Sequence, residues 1–132
     1  MLRRDFIMVQ IEELGKVLAQ MIHRRNTDAV RENPALAQTV HDSLKTSRTF
    51  LLEKTVNEIH DYLNNTDMAG LQRMEIAAKL LMEESFLCDA GKQQNALRRK
   101  AVKMLAYIQQ RDTTFSLERM QRINELEQLL AP

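Results

Sequence analysis

Apolar residues return along the chain at alternating spacings of four and three, the period of an amphipathic helix. The first stripe is the clearest: Ile7, Ile11, Leu14, Leu18 and Met21, widened by Phe6 and Val17 on one edge and Ile22 on the other. Glu12, Lys16, Gln20 and His23 fall opposite, with Glu12 and Lys16 in the favourable i,i+4 order. Asp5 is placed to cap this helix, and Arg24 and Arg25 complement its negative end. A stripe this wide predicts the most buried helix of the molecule, with Leu14 and Leu18 central. Gly15 lies inside it at a cost of about 1 kcal/mol relative to Ala, which predicts close approach by another helix.

Further on, Asn33-Pro34 is a start signal: a capping residue, then Pro where a missing N–H loses nothing. Leu36, Val40 and Leu44 form one stripe and Leu52, Val56, Ile59 and Leu63 another. Thr46-Ser47-Arg48-Thr49 between them allows either a break or one long rod over 34–64. Thr66 or Asp67 can cap the next helix, whose core face reads Leu71, Met74, Ala78, Leu81 and Ser85, with Cys88 beside it. Gly91 suits the left-handed residue that ends many helices. Leu97, Ala101, Met104, Leu105 and Ile108 mark the helix after it. Ser116 is the best cap in the chain, with Phe115 and Met120 placed for a hydrophobic staple; Ile123, Leu126 and Leu130 complete the pattern. The expectation is an all-α domain over 1–132, a bundle of five or six helices with short connections and mostly antiparallel neighbours.

Composition agrees with that reading. Three glycines and two prolines in 132 residues are too few for the turns of an all-β fold. A net charge of +1 gives no general attraction to nucleic acid or an anionic membrane. No apolar run spans a bilayer, no secretory leader is visible, and one cysteine cannot form an internal disulfide. A reducing, cytoplasmic setting follows as the expectation.

Two stretches carry a resemblance. Met1-Leu2, Asp5-Phe6-Ile7 and Ile11-Glu12 at the start, with Phe115 through Arg119 and Arg122-Ile123 near the end, resemble an uncharacterised family of small bacterial helical proteins. That resemblance implies an all-helical fold and no assigned chemistry. The stretch around Gly91, with Ala96 five residues later, also resembles a tetratricopeptide-type helix pair. It departs at Glu84, Lys103 and Ile108, where that repeat has small residues and a closing Pro, and only one such unit is present.

The candidate chemistry is sparse. Glycines only at 15, 70 and 91 cannot build a phosphate-cradling loop. His23, His41 and His60 lack metal-binding spacing; His23 reads as a solvated residue and the other two as boundary residues with local partners, His60-Asp61 being the least implausible ligand pair. Cys88 reads as core packing, and Glu83-Glu84, whose side chains diverge by about 100°, as a solvated face. No cofactor, metal or catalytic constellation is expected. Lys92, Arg98, Arg99, Lys100 and Lys103 are the one cluster that could meet an anion, though no aromatic platform accompanies them. The first reading is therefore a non-enzymatic interaction or scaffold module that holds a protein partner or pairs as a homodimer. Surplus apolar edges at Phe6, Val9, Val17 and Ile22, and at Leu51 and Tyr62, would supply its surface. The alternative is a weak nucleic-acid or anion binder using residues 92–103, although the near-neutral charge disfavours nucleic acid.

Overall fold

The computed structural model describes residues 2–27, 29–64 and 67–131, with the side chains of 2–5 and 30 left aside. Seven α-helices occur among them: α1 (Leu2–Asn26), α2 (Asn33–Leu44), α3 (Arg48–Glu53), α4 (Val56–Asn64), α5 (Gly70–Ser85), α6 (Lys92–Arg111) and α7 (Leu117–Leu130). A single 3₁₀ turn, Val30–Glu32, precedes α2. No strand occurs among the described residues.

The expected five or six helices become seven because residues 34–64 break twice. Lys45 adopts a left-handed φ of 57° and ends α2 with its N–H on the Asp42 carbonyl. Ser47 then opens α3, its hydroxyl accepting from the Phe50 N–H at 3.0 Å. At Lys54 the chain extends again, and Thr55 and Glu58 form a reciprocal capping box for α4. The Thr55 N–H donates to the Glu58 carboxylate at 3.0 Å and the Glu58 N–H to the Thr55 hydroxyl at 3.2 Å.

Other ends vary in how they meet expectation. Ser116 caps α7 by accepting from the Arg119 N–H at 3.1 Å, while Phe115 stays exposed rather than closing a staple. Helix α1 already begins at Leu2, so Asp5 lies within it rather than at its cap. The Asn33 side chain turns away from its own helix and donates to the Met21 carbonyl of α1 at 3.0 Å. Thr66 lies outside the described residues; Asp67 accepts from the Ala69 N–H at 3.1 Å, just ahead of α5. Gly91, at φ 155° in a region open only to glycine, begins α6 instead of ending α5.

The centre of the molecule is α5, not α1. Twelve of the sixteen residues of α5 are buried, among them Met74, Leu80, Leu81 and Met82, because helices surround it: α1, α2, α4 and α6 pack on it, and α7 is tied to it by charge. Among the described side chains of α1 only Leu14, Leu18 and Met21 are buried apolar residues, since α2 and α5 cover one side of it. The glycine that permits close approach is Gly70. A Cβ there would lie 2.7 Å from the Asn64 Cα, at the crossing of α4 and α5, whereas a Cβ on Gly15 would meet nothing within 4 Å.

Helices α5 and α6 form an antiparallel pair: Arg98 near the start of α6 reaches Ser85, and Tyr107 near its end meets His60 beside Gly70. Helix α1, in contrast, runs parallel to α5. Gln10 lies beside Arg73 and Arg25 beside Glu83, so both helices advance in the same direction. Expectation of antiparallel neighbours holds for α5 and α6 and fails for α1 and α5, which 43 intervening residues separate.

Candidate functional site

Four buried or half-buried charge clusters radiate from α5. Glu83, 2 % exposed, takes a two-pronged contact from Arg25 of α1 at 2.9 and 3.1 Å, and that guanidinium stacks 3.9 Å from the centre of the Phe86 ring. Glu84, 3 % exposed, holds His41 of α2 at 2.6 Å and Arg48 of α3 at 2.7 Å. Arg73 donates to Asp67 at 2.5 and 2.7 Å and to the Leu63 carbonyl at 3.0 Å, joining α5 to α4. Arg119, 4 % exposed, brings α7 onto Glu75 at 3.0 and 3.1 Å, with Asp112 at 2.9 Å and Gln109 at 2.8 Å.

These contacts overturn the expectation that Glu83 and Glu84 form a solvated face. The divergence of adjacent side chains is real, but each points at a different neighbouring helix rather than at water. Burying a carboxylate is costly unless its oxygens are paired, and here each oxygen is. Burial pushes Glu84 up; the hydrogen bonds and charges of His41 and Arg48 outweigh it and hold the carboxyl below its ordinary value. A carboxylate only accepts, so His41 Nε2 donates to it, and the other ring nitrogen meets the Thr46 hydroxyl at 3.1 Å.

Above this cluster lies a cleft of about 630 Å³, walled by Pro34, Gln38, Thr49, Cys88 and Gln93 with His41, Arg48 and Glu84 in its lining. Cys88 is half-buried, and its thiol donates to the Glu84 carbonyl at 3.6 Å. Within the cleft both ring nitrogens of His41 are engaged and the Ser47 hydroxyl serves as a cap. Its chemistry is that of a three-helix fastening. His60 bonds the Tyr107 hydroxyl at 2.9 Å, and no group of three His, Cys, Asp or Glu among the described residues converges as a metal site.

The basic cluster of α6 is divided. Lys92, Arg99 and Lys103 are exposed, but Arg98 turns inward, donating to the Ser85 hydroxyl at 3.0 Å near the negative end of α5. Lys100 Nζ donates to the Lys54 carbonyl. Burial, then the nearby Lys103 charge, hold the Lys100 ammonium below its ordinary value. Of the five cations, Lys92, Arg99 and Lys103 share the outward face, and Arg98 and Lys100 are engaged within the chain.

Exposed apolar side chains occur on α1 and, singly or in a pair, at Met68 and at Phe115 with Leu117. Phe6, Met8 and Val9 are 73, 55 and 54 % exposed, ahead of the first fully buried position, Leu14. Alongside the core stripe runs a second seam one residue out of register: Met8, Glu12, Gly15, Ala19 and Ile22, again at four-three spacing. Glu12 and Ala19 are exposed, Gly15 and Ile22 half-buried, and a groove of about 590 Å³ opens beside Ala19, bordered by Lys16, His23, Arg24 and Ala29. The second expected edge is halved: Leu51 is fully buried, while Tyr62 stays exposed, packing on Phe50 and donating to the Lys45 carbonyl at 2.5 Å. Sequence reasoning found Phe6 and Val9 as surplus apolar residues. It missed Met8, Gly15 and Ala19 as members of one seam, although their period was there to count.

No family model matches the chain, and no curated protein or solved structure matches it. No helix among the described residues is long and apolar enough to cross a membrane.

Proposed function

We propose that the protein is a non-enzymatic interaction module whose working surface is the outer face of α1. The observation that carries this reading is the asymmetry of that helix: Leu14, Leu18 and Met21 anchor one side, while Phe6 and Val9, three residues apart, stand in water on one flank and Met8 on the other. Exposed apolar clusters of this kind mark contact sites in soluble proteins. The charge clusters of α5 fit the same role, since they tie α1, α2, α3, α4 and α7 to one central helix and hold a platform under α1. A cytoplasmic setting accords with the single half-buried thiol.

Val9→Asp tests the reading. The side chain is exposed, so the variant should melt within a degree or two of wild type, as exposed substitutions generally do. In affinity capture followed by protein identification, a specific partner, or a second copy of the chain, should be retained by wild type and lost by Val9→Asp. Equal recovery by both proteins overturns the α1 face as the working surface.

A further inference from the structure

We infer that the outer face of α1 pairs with the same face of a second copy, antiparallel, about a two-fold axis at Gly15. This rests on the reading of α1 as a docking surface and names its occupant. Three features carry it.

The first is Gly15. Glycine inside a helix is costly, and nothing inside the chain repays it, because a Cβ there would touch no atom within 4 Å. Glycine also lets a neighbouring helix approach closely, and the open side of Gly15 faces away from α2 and α5.

The second is the apolar register. Rotation about an axis at Gly15 carries residue i of one copy onto residue 30 − i of the other, since a two-fold contact is self-complementary. Met8 then lies level with Ile22 of the second copy, about 10 Å from the axis at 1.5 Å per residue. The exposed thioether meets a half-buried aliphatic side chain at both ends of the seam, and Ala19 in between keeps the helices close.

The third is charge. The exposed residues are acidic in the first half, with Glu12 and Glu13, and basic in the second, with Lys16 and His23, while the half-buried Arg24 is already paired with Glu32 at 3.0 Å. In the antiparallel register Glu12 comes level with position 18 of the second copy, two residues along the helix from its Lys16. A parallel pair would put Glu12 against Glu12, so the charge order selects orientation as well as partner. The intrachain contact of Lys16 with Glu13, 3.4 Å and largely in water, is weak enough to yield.

Light scattering coupled to size exclusion, at micromolar concentration, tests the pairing. Wild type should elute at twice 15.4 kDa. Gly15→Leu should remain folded, with a circular dichroism spectrum and melting temperature at least equal to wild type, yet run as a monomer. Glu12→Arg should also be monomeric, and adding Lys16→Glu and His23→Glu to it should restore the dimer by reversing the charge order. A wild-type monomer overturns self-pairing. So does a dimer that persists in both Gly15→Leu and Glu12→Arg. A monomeric wild type that still captures another protein through Val9 would leave α1 a docking surface for that protein and remove the second copy as its occupant.

Discussion

Glu84 keeps its negative charge in the interior because the His41 ring N–H and the Arg48 guanidinium, from two other helices, meet its oxygens. Its lowered carboxyl gives the fold a defined response to acid. A carboxylate held below its ordinary 4.5 in the folded state stabilises the protein above that pH, and the contribution is lost as pH falls through the lowered value. Urea denaturation should therefore show stability dropping as pH is taken below about 4.5, and Glu84→Gln should flatten its share of that dependence. At neutral pH, Glu84→Ala should cost about 3 kcal/mol, since it strands the partners of a buried ion pair; an unchanged midpoint would disprove the fastening. None of this was legible locally: the partners of Glu84 and Glu83 stand 43 and 58 residues away in sequence, and spacing along one helix says nothing about them. The glycines show the same limit. Gly15→Ala should stabilise by about 1 kcal/mol, while Gly70→Ala should destabilise by about 1–3 kcal/mol because the new methyl meets backbone. From sequence the two glycines differ only in context, and Gly15 is the one that attracted the close-approach reading.

Helices whose boundaries rest on local chemistry were readable; those decided by packing were not. Ser116 acts through its own hydroxyl on a residue three positions ahead, so its role is written in the adjacent sequence. The Thr55–Glu58 box is equally local and was there to be found, but the continuous stripe from Leu52 to Leu63 masked the break that it makes. Removing Ser116 as Ala should cost about 1 kcal/mol. Rank of burial is a different matter. The stripe of α1 is the widest in the chain, yet α5 is more buried, because charged residues on its remaining faces find partners instead of water. Both Leu18→Ala and Leu81→Ala should destabilise by about 2–5 kcal/mol, with Leu81 at the upper end since helices enclose it on more sides. Equal stability of the Leu81 variant and wild type in urea would contradict α5 as the hub.

Taken as a body, the molecule is a platform: α5 at the centre, α6 returning beside it, and α1 laid along it with one side in water. The outer seam of α1 was the least readable part of the candidate site, since it becomes visible only once the inner seam is known to face α2 and α5. If the pairing at Gly15 holds, raising salt should weaken the dimer modestly, because exposed charges steer it while Met8 and Ile22 hold it; a dimer strengthened by salt would argue against the charge register. The parallel course of α1 and α5 also has a kinetic consequence. Hairpin α5–α6 closes through a short turn, but α1 reaches α5 only after the chain has closed a loop of 43 residues. Contacts of α1 should thus form late, on the native side of the folding barrier. Leu18→Ala should then accelerate unfolding and leave the refolding rate nearly unchanged, whereas Leu81→Ala should slow refolding. In native-state hydrogen exchange the amides of α1 should open together, at lower cost than those of α5 and α6, so the helix that carries the working surface is also the first to leave the core.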